Sequence, residues 1–167
     1  RKIEIPHDGW EKWLLDLAGL STLSDMVPLK NENRIIAYYG MKVLEKARRP
    51  GLAALMQKSG ISLAHLAEDD IVFSITPKIN AASRMAHPKD AFDTLAAEDI
   101  RTAAVAAEHL TSLNDERKKL VARAMKEVHK KMELRAMDNT LRDVIVAGDP
   151  SWSTGILGLI ASKIAET

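Results

Sequence analysis

From Gly9 onward apolar side chains return every three or four positions, the period of a helix that buries one face. The first run carries Trp10, Trp13, Leu14, Leu17, Leu20, Leu23, Met26 and Val27, with Asp8 as the expected N-cap and Pro28 as the stop. A second helix is expected over about 32–47, with Ile35, Ile36, Tyr39, Val43 and Leu44 inward, ended by Arg48-Arg49-Pro50-Gly51. Short helices follow over 52–58 and 62–68. Asp70 then caps a segment reaching about 85, which Pro77 either kinks or begins. Another short helix is expected over 90–97.

From about 98 to 137 there is neither Gly nor Pro, and Leu110, Leu113, Leu120, Ala124, Val128 and Met132 keep helical spacing between charged flanks. Unbroken, this helix is roughly 60 Å long at about 1.5 Å per residue, the length of one that joins two lobes. After Asp138-Asn139 the pattern changes. Asp143-Val144-Ile145-Val146-Ala147, bounded by Gly148, Asp149 and Pro150, reads as a buried strand, and a helix is expected over 154–166. This looks like the opening βα unit of a second α/β domain. The first six residues alternate, as a short strand or an extended lead-in would.

Composition narrows the classes. The chain is 46% hydrophobic but only 4% aromatic, so Leu, Ile, Val, Ala and Met must build the core. With 24 Lys and Arg against 23 Asp and Glu there is no global attraction for nucleic acid, and any such binding must rest on local patches. The absence of cysteine excludes disulfides and thiolate zinc sites and fits a reducing cytoplasm. No secretory signal opens the chain, and the apolar run over 155–161 is too short to span a bilayer, so a soluble intracellular protein is expected, with no membrane partner. The chain starts at Arg1 and its last residues continue a helical pattern without a stop, so a segment of a longer protein is expected.

Four places can carry chemistry. Asp25 follows Ser21, Thr22 and Ser24 at the polar end of an apolar helix, where a carboxylate can bind a hard cation. On spacing alone, a turn residue making local hydrogen bonds explains it better. Lys78, Asn80, Ser83 and Arg84 form a polar set in which Asn80 and Arg84 share one helix face, beside the small Ala81 and Ala82. Arg grips phosphate bidentately and Asn hydrogen-bonds sugar, phosphate or carboxylate, although a solvated face has the same pattern.

The third place is the long helix between Asp115 and Arg135. There Arg117, Lys118, Lys119, Arg123, Lys126, Lys130, Lys131 and Arg135 outnumber Asp115, Glu116, Glu127 and Glu133, eight to four. Such a face can line a groove along a nucleic-acid backbone, or serve as a solvated linker; it lacks interleaved aromatics for base stacking. The fourth is Trp152-Ser153-Thr154-Gly155, where amides at a helix start can hold an anion and Gly155 permits close approach, or where the glycines serve packing. The five histidines show no zinc spacing.

The order of these pieces resembles the RecJ-like exonucleases of the DHH phosphoesterase family. DLAGLSTLSDMVPL (16–29) is similar to the family's DLVALGTVADVVPL, and Glu32-Asn33-Arg34 and Arg49-Pro50-Gly51-Leu52 follow as they do there. TPKINAASRM (76–85) resembles GPRLNAAGRL, LNDERK (113–118) resembles the start of the connecting helix, and WSTGILGLIASK (152–163) resembles WHPGVIGIVASR. Any one match is weak; five in order cover nearly the whole chain.

The resemblance implies a mainly α fragment in three parts: residues 1–97 as the C-terminal helical part of a DHH α/β domain, 98–138 as the connecting helix, and 139–167 as the start of the associated α/β domain. It implies a nuclease degrading single-stranded DNA from the 5′ end with two manganese or magnesium ions, in DNA repair and recombination. Asp25 matches a metal-binding motif and is the carried-over catalytic and metal residue. Lys78, Asn80, Ser83 and Arg84 match the segment near the substrate phosphates, and Trp152, Ser153 and Gly155 belong to the domain that closes over the strand. The DxD and Asp-His-His motifs of the family are absent from these residues, as is the rest of the associated domain, so this piece alone is expected to be inactive. Lys78 for Arg, Ser83 for Gly, Ser153 for His and Lys163 for Arg depart from the family pattern, Ser153 most seriously. The competing readings are a DHH phosphoesterase acting on short oligonucleotides or cyclic dinucleotides, and a non-catalytic helical scaffold or nucleic-acid-binding module.

Overall fold

The computed structural model describes residues 8–137 and 144–166. Its α-helices are α1 (Leu15–Ser24), α2 (Asn31–Leu44), α3 (Pro50–Lys58), α4 (Thr76–Met85), α5 (Pro88–Ala96), α6 (Ile100–Met137) and α7 (Thr154–Ala165). Short 3-10 turns at Trp10–Leu14 and Leu63–His65 and a π-helical turn at Asp70–Ile75 connect them. The expected N-cap Asp8 does not cap: Gly9, in the left-handed region at φ 86°, opens the first turn, a conformation glycine adopts without steric cost. Pro77 marks the start of a helix rather than a kink within one. It stands in the first turn of α4, where its missing N–H costs nothing.

α1 and α2 pack through Gly19 and Gly40. A Cβ added to Gly19 would stand 2.7 Å from the Gly40 Cα, so neither position accepts a side chain without separating the helices. This contact sets which face of α2 turns inward. Ala37, Gly40, Met41 and Leu44 are buried, while Ile35 and Tyr39, expected inside, face solvent. Small residues won because close helix approach buries more backbone and neighbouring surface than the larger side chains gain individually.

α6 has 38 residues, about 57 Å at the usual helical rise, and it ties two cores together. Its first half places Ala107, Leu110 and Leu113 in a core shared with α1 to α5. Its second half places Val121, Ala124 and Val128 against Ile156 and Ile160 of α7. The seam passes through Val121 rather than the expected Leu120, which is only half-buried. Met85, at the end of α4, packs against both cores.

The expected strand over 143–147 is not formed among the described residues. Residues 144–147 run without ladder bonds, and Val144 and Val146 are exposed. A strand is defined by a hydrogen-bonded ladder with a neighbouring strand, and among the described residues there is no strand to form one. Asp143 and the alternating opening over 1–6 lie outside the described residues.

Candidate nucleic-acid interface

One stripe of α4 carries three of the expected site residues, Asn80, Ser83 and Arg84. Thr76, Asn80, Ser83 and Arg84 follow the spacing that puts residues on one helical face. Thr76 is buried, and its hydroxyl is 2.7 Å from that of Ser24, in a hydrogen bond that ties the end of α1 to the start of α4. Asp25 is therefore at the foot of the stripe. It closes α1, its N–H donating to the Ser21 carbonyl at 3.0 Å, and the left-handed Met26 at φ 50° then turns the chain away.

Asp25, Asn80, Ser83 and Arg84 are all exposed. No other described residue engages the Asp25 carboxylate by hydrogen bond or ion pair, so its oxygens are free to take a ligand. From Thr76 to Arg84 the stripe climbs about 12 Å at 1.5 Å per residue. These groups are thus spaced as successive contacts along an extended anionic chain, not gathered around one atom.

At the top of the stripe α4 meets α7. The Arg84 guanidinium donates to the Gly155 carbonyl at 3.3 Å. Trp152 is fixed against α6: its indole N–H donates to Glu127 at 2.9 Å, and the Lys131 ammonium lies 5.5 Å from the ring centre. That indole hydrogen bond, with a second from Arg123, holds the Glu127 carboxyl below its ordinary range. Ser153 is the N-cap of α7; its exposed side chain makes no capping bond.

Lys78 does not join this surface. Its ammonium turns inward and donates to the Ser59 hydroxyl and the Ser74 carbonyl, each at 2.9 Å. Burial, followed by the nearby charge of Lys118, pushes its pKa down. The spacing that pairs Asn80 with Arg84 places Lys78 on the opposite, packed side of α4, a distinction the segment match could not make.

The basic face of α6 is also not one track. Arg123 pairs with Glu127 at 3.1 Å, and Lys131 donates to the Gly148 carbonyl at 2.9 Å. Arg117 and Lys118 turn instead toward Lys163 of α7, across a groove. Lys163 was not among the expected site residues. Its helix differs from that of Arg117 and Lys118, so no spacing within either segment reveals the grouping. Sequence reasoning also missed the ion pair between the buried Asp16 carboxylate and Arg49, at 2.6 Å, which ties α1 to the turn before α3.

Asp25 is chemically suited to manganese or magnesium, which prefer oxygen donors. Among the described residues no cluster of three or more His, Asp or Glu side chains is arranged to hold a metal ion. No described helix is long and apolar enough to cross a membrane.

No family model matches the chain. It is 35% identical over 153 residues to the single-stranded-DNA-specific exonuclease RecJ of Bacillus subtilis, covering 92% of this chain and 19% of that protein. It is 34% identical over 163 residues to the Escherichia coli protein of the same name, covering 92% of this chain and 27% of that one. A crystal structure of Thermus thermophilus RecJ in complex with manganese superposes with a TM-score of 0.80 at 28% identity, over 93% of this chain and 22% of the other. A further crystal structure, of exonuclease RecJ bound to manganese, gives 0.81 at 27% identity, covering 93% of this chain and 38% of that one. Sequence and fold together make the chain a RecJ-like segment, spanning 19% to 27% of the length of these curated relatives.

Proposed function

We propose that this chain is part of a metal-dependent exonuclease that hydrolyses phosphodiester bonds of single-stranded DNA from the 5′ end. One observation carries the reading: in a RecJ-like chain, the Ser24–Thr76 hydrogen bond sets an unengaged carboxylate, Asp25, at the foot of an exposed Asn80, Ser83 and Arg84 stripe. Asp25 supplies one ligand to a two-ion site, the others coming from DxD and Asp-His-His segments elsewhere in the protein. When bound, manganese or magnesium ions activate water and stabilise charge on the scissile phosphate. Asn80 and Arg84 orient the phosphates, Arg84 by its planar fork, and Ser83 offers a hydroxyl on the same face. Trp152 and Ser153 stand beside the strand where α7 meets the top of the stripe, and Gly155 permits that docking. Lys78 is assigned to packing. The same reading puts the protein in the cytoplasm, in DNA repair and recombination.

The test is Asp25→Asn in the full-length protein, with 5′-labelled single-stranded DNA and manganese. The expected result is loss of cleavage by at least about 10²-fold, as removal of an essential charge-stabilising group costs, with thermal stability retained. The 167-residue chain alone is expected to leave the DNA intact. Wild-type rates in the Asp25→Asn protein, or processive digestion by the chain alone, refute the assignment.

A further inference from the structure

The groove between α6 and α7 is not used by the function proposed above. It encloses about 400 Å³, within the range of small-ligand sites, and is lined by Arg117, Lys118 and Lys163 with Val121, Met125 and Leu159 among its apolar residues. Among the described residues no carboxylate lines it. Asp115 reaches Lys118 from the rim at 3.8 Å, and both side chains are more than half exposed, so that pair neutralises little.

Arg117 is under-used by the protein itself. One of its terminal nitrogens donates to Asn114 at 2.9 Å, but its Nε is buried with no hydrogen-bond partner. That Nε is closed off from the groove, so an anion there would bond the guanidinium through a terminal nitrogen. Burial, and then the like charge of Arg84, lower the Arg117 pKa, which places Arg84 within electrostatic range of the groove. Along α7, Gly155, Leu159 and Lys163 repeat at four-residue spacing on one face. The face that begins where Arg84 meets Gly155 therefore continues to Lys163.

We propose that this groove is a subsite for one nucleotide of a single strand, continuing from Arg84, with phosphate held by Arg117, Lys118 and Lys163 and the base resting on Val121, Met125 and Leu159. Charge complementarity selects an anionic occupant, the apolar residues suit the face of a base, and continuity with Arg84 selects a nucleic-acid strand over a separate acidic peptide. The inference rests on the reading that the Arg84 stripe faces single-stranded DNA, but its test involves no cleavage.

Two measurements on the 167-residue chain decide it. The first is fluorescence anisotropy with labelled oligothymidylate across a potassium chloride series, comparing wild type with the Lys118→Ala/Lys163→Ala double variant. The slope changes by about 0.7 for each phosphate neutralised on a single strand, so the double variant, which strips this one phosphate of two of its three cations, should fall by up to about 0.7 and lose on the order of tenfold in affinity at 0.1 M salt. Both lysines are exposed, and circular dichroism should show an unchanged fold.

The second measurement is methionine-methyl NMR of the wild type, independent of any substitution. Oligothymidylate should shift the Met125 resonance and leave that of Met56, buried in α3 away from the stripe and the groove, in place. An unchanged slope and affinity, or a stationary Met125 signal at saturating oligonucleotide, overturns the subsite. So does a peptide of Asp, Glu and Phe that moves Met125 while oligothymidylate does not, which assigns the groove to a protein partner. These outcomes leave the nuclease reading to the Asp25→Asn experiment, which fails or succeeds separately.

Discussion

Gly155 and Arg84 meet backbone to backbone: a Cβ built on Gly155 would stand 2.0 Å from the Arg84 carbonyl oxygen. This approach lets α7 dock on the end of α4, and the Arg84 side chain then reaches the Gly155 carbonyl. The expectation that Gly155 permits close approach is met by a helix partner, so packing accounts for the residue without a ligand. Gly155→Ala should cost about 1–3 kcal/mol, the range for overpacking a site with no room to relax. Gly158, on the same helix, meets nothing within 4 Å, and Gly158→Ala should stabilise by up to about 1 kcal/mol through helix propensity. Urea denaturation of the two variants checks the contrast, and equal shifts for both would reject the close-contact argument.

Arg49 is the partner of Asp16, whose carboxylate is almost fully buried and also accepts from the Leu17 N–H at 2.6 Å. Arg49→Ala leaves that charge inside without a counterion and should cost about 3 kcal/mol, the lower part of the range because Arg49 is itself partly exposed. Adding Asp16→Asn should recover part of the loss, since a neutral amide is cheaper to leave unpaired. A double variant no more stable than Arg49→Ala would show that the guanidinium acts through packing instead.

How much of this was legible depends on the kind of interaction. The helices of this chain could be read because Leu110, Leu113, Ala124 and Val128 carry a period that local geometry imposes. The α4 stripe was legible in part, because Asn80 and Arg84 are one turn apart. Three things were not. The inward face of α2 depends on Gly19 meeting Gly40, a contact between helices that neither helix announces. The inward turn of Lys78 depends on Ser59, which lies nineteen residues earlier. Val144 to Ala147 have a strand's residue pattern, but a strand is a property of a pair, and among the described residues there is no strand for them to join.

Lys78 gives the clearest separation of packing from binding. Its ammonium is charged in a place that disfavours charge, with Ser59 and Ser74 as compensation. Lys78→Met keeps the length of the side chain and removes the desolvation cost, so stability at neutral pH should remain within about 1 kcal/mol of wild type or rise, as when buried ionic groups are exchanged for apolar ones. The folded-state pKa lies below the ordinary 10.5, so the wild type should gain stability on the variant as pH rises through that lowered value toward 10.5. Oligothymidylate affinity should be unchanged in Lys78→Met and reduced in Arg84→Ala. A drop in affinity for Lys78→Met with the fold intact would return the residue to the binding surface.

The Trp152–Glu127 hydrogen bond should make the indole environment beside α7 acid-sensitive. Glu127 ordinarily titrates near 4.5, and the indole N–H and Arg123 hold it lower in the folded chain. A depressed carboxyl contributes stability that is complete above its unfolded value and is lost as pH falls through the folded one. The Trp152 indole resonance should therefore move as pH is taken from about 5 to about 3. Glu127→Gln keeps a carbonyl acceptor but cannot ionise, so its indole resonance should stay nearly flat over that range. Asp149 is also held low, by the Ser151 N–H and hydroxyl, and its charge acts on Glu127, so Asp149→Asn is the needed control. If the titration survives in Glu127→Gln and disappears in Asp149→Asn, the acid sensitivity belongs to the turn before α7 and not to the indole bond.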